Sequence, residues 1–351
     1  MFNLHDDLDK FYQDHVRLGK VRRNELATFR DNSLTRLKSG LDKLGEKRGR
    51  VYAYYVDTRN QGGYAMDTLN QATNNDYDID VGLIFEADDL PDGAKASRER
   101  IRDAFIESGG QFKDPPNARS NAVTVWYASG QHLDFAIYRR WLRPDGSWLV
   151  EHASGDAWTP RNPDRMTNWF DERVRSRSPS GFGVTVASGQ LRRIVRHVKY
   201  FARSRSQWRL PGGMILTTLT EECYQPHSHR DDVALRETLL AMARRLQIHR
   251  MVTSPVDGSD LTAKDKRKRE MDALAAALFE NVPKLDILFD PSCTRQQARN
   301  AWRQIFNHAF WEANNDPASR SMLRAASAAP ASTAYVFPDH ARAPTKPAGF
   351  G

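Results

Sequence analysis

The sequence predicts a layered α+β fold: helices first, a mixed sheet with helices next, then a helical C-terminal half. Three observations predict it. Over residues 1–50, Leu26, Phe29, Leu37, Leu41 and Leu44 recur at near-helical spacing, and no Pro interrupts them. From Val51 to Arg140 the pattern becomes short runs rich in β-branched and aromatic residues. After Arg161 the apolar residues return to helical spacing. Strands bracketed by helices bury their apolar faces best as packed layers.

The β-rich runs are Val51–Val56, Ile79–Phe85, Ala122–Tyr127 and Leu133–Tyr138. Ala128-Ser129-Gly130-Gln131 joins the last two as a short hairpin turn. Ala94–Ser108 reads as a helix crossing the sheet. The clearest later helix begins at Ser188, a good N-cap residue, and runs to about Ser206. Leu191, Ile194, Val195, Val198 and Phe201 form its apolar stripe, with Arg192, Arg193, Arg196, Lys199 and Arg203 over the remaining surface. Further helices are expected near Gly213–Cys223, Asp231–Ile248, Leu261–Glu280 and Thr294–Ala313. Trp302, Ile305, Phe306 and Phe310 lie at helical spacing as core residues. From about Ala325 to Gly351 the chain is rich in Ala and Pro without apolar period, which predicts disorder. The expected divisions are N-terminal helices over 1–50, a catalytic core over 51–160, a helical domain over 161–324 and a flexible tail over 325–351.

Composition removes several classes. The 351 residues suffice for a sizeable buried core. No run of about 18 apolar residues suggests a membrane span, and the N-terminus lacks the order of a signal peptide. Cys223 and Cys293 are too isolated for a disulfide framework or zinc cluster, and buried thiols are expected. A cytoplasmic compartment without membrane contact is the expectation. The formal charge of +8 favours polyanionic partners but also serves solubility, so its placement decides its meaning.

One stretch carries chemistry. Gln61-Gly62-Gly63 precedes Asp78-Ile79-Asp80-Val81, and on a strand Asp78 and Asp80 point to the same side. Ile79, Val81, Leu83 and Phe85 then form the buried face. Adjacent carboxylates repel unless a cation neutralises them, and hard divalent ions take one or two carboxylates plus substrate phosphates. Asp134, flanked by Leu133 and Phe135, is a third strand acid that needs a partner. Together the three would hold two ions, Mg²⁺ with Mn²⁺ as a substitute. Gly62 and Gly63 open a turn whose backbone amides can approach a triphosphate.

Gly62-Gly63, then Asp78-Ile79-Asp80, then Leu133-Asp134-Phe135 resembles the signature of the polymerase-β-like nucleotidyltransferases. The longer string Gln61 to Asn70, with Asn168-Trp169-Phe170, Leu191 to Lys199 and Pro211 to Thr217, resembles the narrower cGAS/DncV-like group. These are bacterial synthases of cyclic oligonucleotide signals in antiphage defence. The resemblance covers roughly residues 10–320. It implies a polymerase-β-like core packed against a C-terminal helical domain, two-lobed with a central active-site cleft. It implies Asp78 and Asp80 as ligands of both metals, and Asp134 as ligand of one and helper in deprotonating the acceptor hydroxyl. Gln61, Gly62 and Gly63 would hold the donor triphosphate, by backbone amides alone where some relatives have Ser at the second glycine. Lys199 would reach that triphosphate; its plain alternative is a solvated helix face.

The implied reaction converts nucleoside triphosphates, ATP, GTP or pyrimidine, into a cyclic di- or trinucleotide with release of pyrophosphate, for a product-sensing effector protein. The rivals are an RNA-tailing enzyme of the same superfamily and a catalytically idle binding module. Gly351 ends a tail open to conjugation by a ubiquitin-transfer-like enzyme, as in some relatives; an ordinary disordered tail is the alternative. Ser254–Asp260 resembles a loop near the nucleobase in relatives and also reads as a turn with Asp260 capping the next helix. Lys264–Arg269 reads as a solvated helix face, and the histidines show no metal-ligand spacing.

Overall fold

The computed structural model describes residues 1–72 and 77–316; the expected flexible tail and Gly351 lie outside the described residues. In chain order the elements are α1 (His5–Phe11), α2 (Lys20–Arg48), β1 (Asp57–Gln61), α3 (Gly62–Ala65), β2 (Asp78–Glu86), α4 (Ala94–Glu107), β3 (Phe112–Ala118), β4 (Val123–Tyr127), β5 (His132–Leu142), β6 (Trp148–Ser154) and β7 (Ala157–Pro160). Helices follow: α5 (Arg165–Arg177), α6 (Gln190–Arg203), α7 (Gly213–Cys223), α8 (Asp231–Ile248), α9 (Asp265–Asn281) and α10 (Arg295–Phe306).

The sheet runs β1-β2-β5-β4-β3, with β6 paired to the far half of β5 and β7 to β6. Among the described strands only β2 and β5 pair in parallel. A parallel pair needs a long crossover, and α4 with the β3–β4 ladder supplies it. Period two then sorts the central strands. Ile79, Val81, Leu83 and Phe85 of β2 and Leu133, Phe135 and Ile137 of β5 are buried. They pack with Ile101 and Phe105 of α4 and Leu37, Leu41 and Leu44 of α2 in one apolar cluster. The opposite face is left for polar residues.

A second apolar cluster gathers the helical part around the α6 stripe, with Leu235, Leu239 and Met242 of α8, Leu274 and Leu278 of α9, and Trp302, Ile305 and Phe306 of α10. Residues 1–16 join this cluster and not the sheet. Phe11 is fully buried there, Leu4 N–H donates to Asp232 (2.9 Å), and Arg295 pairs with Asp7 (2.8 Å). The fold is thus mixed α+β with a sheet lobe and a helical lobe.

Several expectations change. The run Val51–Val56 is not a strand. Val56 N–H donates to the Ile84 carbonyl at 2.8 Å, and β1 is the polar stretch that follows. Tyr52 instead packs under Arg100 (4.7 Å) and Tyr55 meets the edge of Phe85, so this apolar content serves packing, not pairing. Strand β3 escapes the sequence pattern because Pro115 and Pro116 lie in it, which only a bulged edge strand tolerates. β6 and β7 escape it because their apolar and polar residues do not alternate with a period of two.

Helix α6 starts one residue beyond Gly189, whose φ of +73° makes the entry turn, and Ser188 is not its cap. Asp260 caps no helix: its carboxylate accepts from the N–H and hydroxyl of Thr262 (2.7 and 2.6 Å), and α9 begins at Asp265. The helix expected over Thr294–Ala313 stops at Phe306, because Asn307 turns left-handed at φ +47°. Thr294 does cap it, in a reciprocal box with Gln297. Cys223 and Cys293 are buried thiols, and Lys266, Arg267 and Lys268 pair within α9 as a solvated face. Among the described residues no helix is long and apolar enough to cross a membrane.

Candidate active site

The parallel pairing of β2 with β5 sets Asp80 directly opposite Asp134, two residues from Asp78 on the same face. The carboxylates of the three acids each offer an oxygen within 4.8 Å of the others, with Asp78 exposed and the other two part-buried. Burial, with Asp78 and Asp134 adding repulsion, pushes the Asp80 carboxyl up to about 8. Burial also raises Asp134, against the hydrogen bond from the Thr124 hydroxyl that favours its charged form. Thr124 can reach it because it lies opposite Asp134 on β4. His132, opposite Asp78, places Nε2 3.2 Å from that carboxylate while its ring stacks on Trp126 at 4.2 Å. Three acids this close, whose mutual repulsion a cation would relieve, form a donor set that suits a hard divalent cation.

Gly62 is required by this geometry. Its φ is +58°, and a Cβ there would sit 1.7 Å from Asp80 Oδ2. The glycine turn therefore rests directly against the acid, and α3 carries the chain away from it. The loop after α3 is tied down by α6. Arg192 donates to the Met66 carbonyl (3.1 Å), Arg196 pairs with Asp67 (2.7 Å), and Lys199 Nζ donates to Thr68 Oγ1 (2.7 Å). Arg23 of α2 holds Asp67 from the other side at 2.7 Å. The expected basic helix face thus points inward: Lys199 is 8% exposed, and burial, then Arg203 and Arg196, lowers it to about 7.

Two cavities meet at the acids. The smaller, about 260 Å³, is lined by Gly63, Asp78, Lys199 and Arg203. The larger, about 420 Å³, is lined by Asp134, Tyr138, His152, Arg161, Arg165 and Asp257. Gly62, Asp80 and Met214 border both, so Asp80 stands where two ligands would touch. Val256 and Asp257 bring the 254–260 loop to the larger cavity. The Gln61 side chain is engaged within the protein: its Nε2 donates to Tyr138 Oη and the Pro163 carbonyl, both 2.9 Å. Gln61 holds the cleft wall through its side chain. Sequence reasoning missed Thr68, Thr124, Arg161 and Arg165, because each acquires its place only through non-local pairing.

The family model of the nucleotidyltransferase domain of cyclic GMP-AMP synthase DncV-like proteins matches residues 56–138. Residues 56–138 are thus similar to a DncV-like nucleotidyltransferase domain. That span holds the glycine turn and all three acids. A cyclic dinucleotide synthase, CdnG, of Bradyrhizobium diazoefficiens is 24% identical over 233 residues, 56% of this chain and 52% of that protein. A cyclic GMP-AMP synthase of Escherichia albertii is 21% identical over 215 residues, 57% of this chain and 44% of that protein. The chain spans about half the length of these curated relatives. Among solved structures, Vibrio cholerae DncV in complex with a linear intermediate superposes with TM-score 0.63 at 14% identity, covering 88% of this chain and 97% of that one. E. coli MS115-1 CdnC with ATP gives 0.58 at 18% identity, covering 87% and 98%. The likeness in fold to these solved structures extends beyond residues 56–138 and takes in the helical lobe.

Proposed function

We propose that this chain joins nucleoside triphosphates into a cyclic di- or trinucleotide, releasing pyrophosphate, as a signal in antiphage defence. The observation that carries the reading is Asp80, set between two cavities with Asp78 and Asp134 beside it. A nucleotidyl transfer needs such a meeting of donor and acceptor.

The donor triphosphate lies in the smaller cavity, where the Gly62 and Gly63 amides and the Lys199 and Arg203 side chains offer donors to its phosphates. The acceptor nucleotide lies in the larger cavity with a 2′- or 3′-hydroxyl toward Asp134. That hydroxyl oxygen bonds to the donor α-phosphorus as the bond to the pyrophosphate oxygen breaks, and Asp134 takes the hydroxyl proton. Thr124 fixes the Asp134 carboxylate for this step. Asp78, Asp80 and Asp134 would hold divalent metal, Mg²⁺ or Mn²⁺, which supplies charge neutralisation at the phosphates. Positioning and charge stabilisation supply most of the rate. A linear product then re-enters with its own triphosphate in the donor cavity and closes the ring.

The test is incubation of the full chain with all four triphosphates and Mg²⁺ or Mn²⁺, with products identified by mass. A phosphatase-resistant cyclic product is expected, and Asp80→Asn should reduce it more than about 100-fold, beyond the cost of losing an outer partner. Extension of added RNA in its place would reassign the acceptor, and undiminished synthesis by Asp80→Asn would overturn the site.

A further inference from the structure

Each acid of the triad is held in a different way. Asp80 lies against the glycine turn, where a Cβ on Gly62 would meet its Oδ2. Asp134 accepts from the Thr124 hydroxyl. Asp78 has neither support: it is the first residue of β2, and its side chain is 51% exposed. A carboxylate so placed turns freely about its side-chain bonds, and ordering it when an ion arrives costs affinity. Among the described residues, the one side chain paired with it is His132, whose Nε2 lies 3.2 Å from Asp78 Oδ1. An ionised carboxylate only accepts, so the ring meets it with Nε2–H.

His132 is itself fixed by both neighbouring strands. The parallel ladder sets it opposite Asp78, and its backbone N–H donates to the Tyr77 carbonyl at 3.2 Å. Across the other edge of β5 it faces Trp126 of β4. The two rings stack with centroids 4.2 Å apart and planes 15° from parallel, which sets the plane of the imidazole and so the direction of Nε2. Lys113 of β3 places Nζ 5.6 Å from the centre of the same indole, a further cation–π contact. The row therefore runs Lys113, Trp126, His132, Asp78, one residue from each of β3, β4, β5 and β2.

Packing alone does not account for this row. Rings that served only the core would join the apolar cluster beneath the sheet, yet neither Trp126 nor His132 belongs to it. Both stand on the polar face with the acids. Thr124 and Trp126 are alternate residues of β4, so they share that face. A strand with no acid of its own thus braces two of the three, Asp134 through the Thr124 hydroxyl and Asp78 through the His132 imidazole.

We infer that His132 is a positioning residue for the divalent ion: seated on Trp126, it holds the Asp78 carboxylate toward Asp80 and Asp134 before the ion arrives. This rests on the proposed reading of the triad as a metal site. His132 touches neither substrate nor ion in this role. It acts through Asp78, and Trp126 acts through His132. Its loss should therefore weaken ion binding and leave the chemistry at saturating ion intact.

Ion binding by the full chain tests this without turnover. Mn²⁺ is titrated with the four α,β-methylene nucleoside triphosphates present, and the relaxation of water protons reads the protein-bound ion. His132→Phe keeps a ring on Trp126 and removes the N–H, and the Mn²⁺ Kd should rise about tenfold, the low end for an outer partner of a metal ligand. His132→Gln returns an amide donor near the place of Nε2 and should bring the Kd back to within about threefold of wild type. Trp126→Leu, which leaves the N–H without its platform, should fall between the two.

In synthesis, the Mg²⁺ concentration for half-maximal rate should rise in step with the Mn²⁺ Kd, while kcat at saturating Mg²⁺ stays within about twofold of wild type. Equal losses in His132→Phe and His132→Gln would make the ring's shape responsible and overturn the inference. So would a kcat that stays depressed at saturating Mg²⁺, or losses of Mn²⁺ binding that track melting temperature across the three variants. If the wild type binds no Mn²⁺ with these analogues, the metal reading of the triad falls. If it does bind and His132→Phe binds as tightly, the triad stands and only the role of His132 is lost.

Discussion

Two buried cations lie six residues apart on α6 and are treated in opposite ways. Arg193 faces the helical lobe, where Asp231 takes its Nε at 2.6 Å and its Nη2 at 3.1 Å. Burial pulls its pKa down, and the Asp231 carboxylate more than restores it. Lys199 faces the glycine turn, where its nearest partner is the uncharged Thr68 hydroxyl. There burial wins, and its pKa falls to about 7. A charge paired inside the protein is structural. A charge buried without a counter-ion carries a desolvation cost that an incoming anion offsets, which marks functional sites. On the proposed reading, the contrast gives Arg193 to architecture and Lys199 to a ligand.

The sharpest way to break the contrast is Arg193→Met. It strands Asp231, which is 3% exposed and keeps only Gln190 as a neutral donor at 2.7 Å. Removing one partner of a buried pair costs about 3–5 kcal/mol, so chemical denaturation should show a loss of that size. Adding Asp231→Leu should recover much of it. A loss below about 1 kcal/mol would show the pair to be dispensable.

Lys199→Met should do the reverse. Stability should hold or rise, while donor-triphosphate turnover falls about 10- to 100-fold, the worth of a charged hydrogen bond. The pH dependence separates the two cations further. Between about pH 7 and the ordinary lysine value of 10.5, the unfolded chain holds a proton that the folded chain has released. Stability therefore rises with pH through that window, with a slope approaching about 1.4 kcal/mol per unit, and the full burial penalty is present below it. The groups acting on Lys199 there are Arg203 and Arg196, which lower it, and Asp80, which raises it. Lys199→Met should lose the slope; a slope shared by wild type and variant would assign it elsewhere.

The same contrast explains how much was legible in the sequence. Asp78 and Asp80 were readable because strand alternation is local, and Asp134 because an acid between Leu133 and Phe135 is costly. The α6 stripe was readable from its period, and Lys199 by resemblance to a triphosphate-reaching position, but the period alone left a solvated face as the alternative for the helix's basic residues. Whether Arg193 or Lys199 meets a carboxylate depends on Asp231 and Thr68, neither of which its position announces. Arg161 and Arg165 were invisible for the same reason: among 52 basic residues, only the folded chain shows which are unspent. Strand β1 failed in the opposite direction, since its polar residues pair at the sheet's end while the apolar Val51–Val56 run beside it does not.

The smallest expected effect tests how tightly Lys199 is confined. Gly213 opens α7 beside it, and a Cβ there would lie 3.3 Å from both Cε and Nζ of Lys199. That is closer than ordinary contact but falls on the end of a flexible side chain, so Gly213→Ala should be accommodated. Alanine favours the helix by up to about 1 kcal/mol over glycine, less in a first turn, and the melting temperature should rise slightly. The displaced ammonium loses its 2.7 Å bond to Thr68 and its alignment toward the smaller cavity. Donor KM should then rise roughly two- to threefold, less than the worth of one full hydrogen bond, with acceptor KM unchanged. An unchanged donor KM would mean that Lys199 reaches its anion from more than one position, and the distinction from the rigidly paired Arg193 would become one of confinement as well as charge.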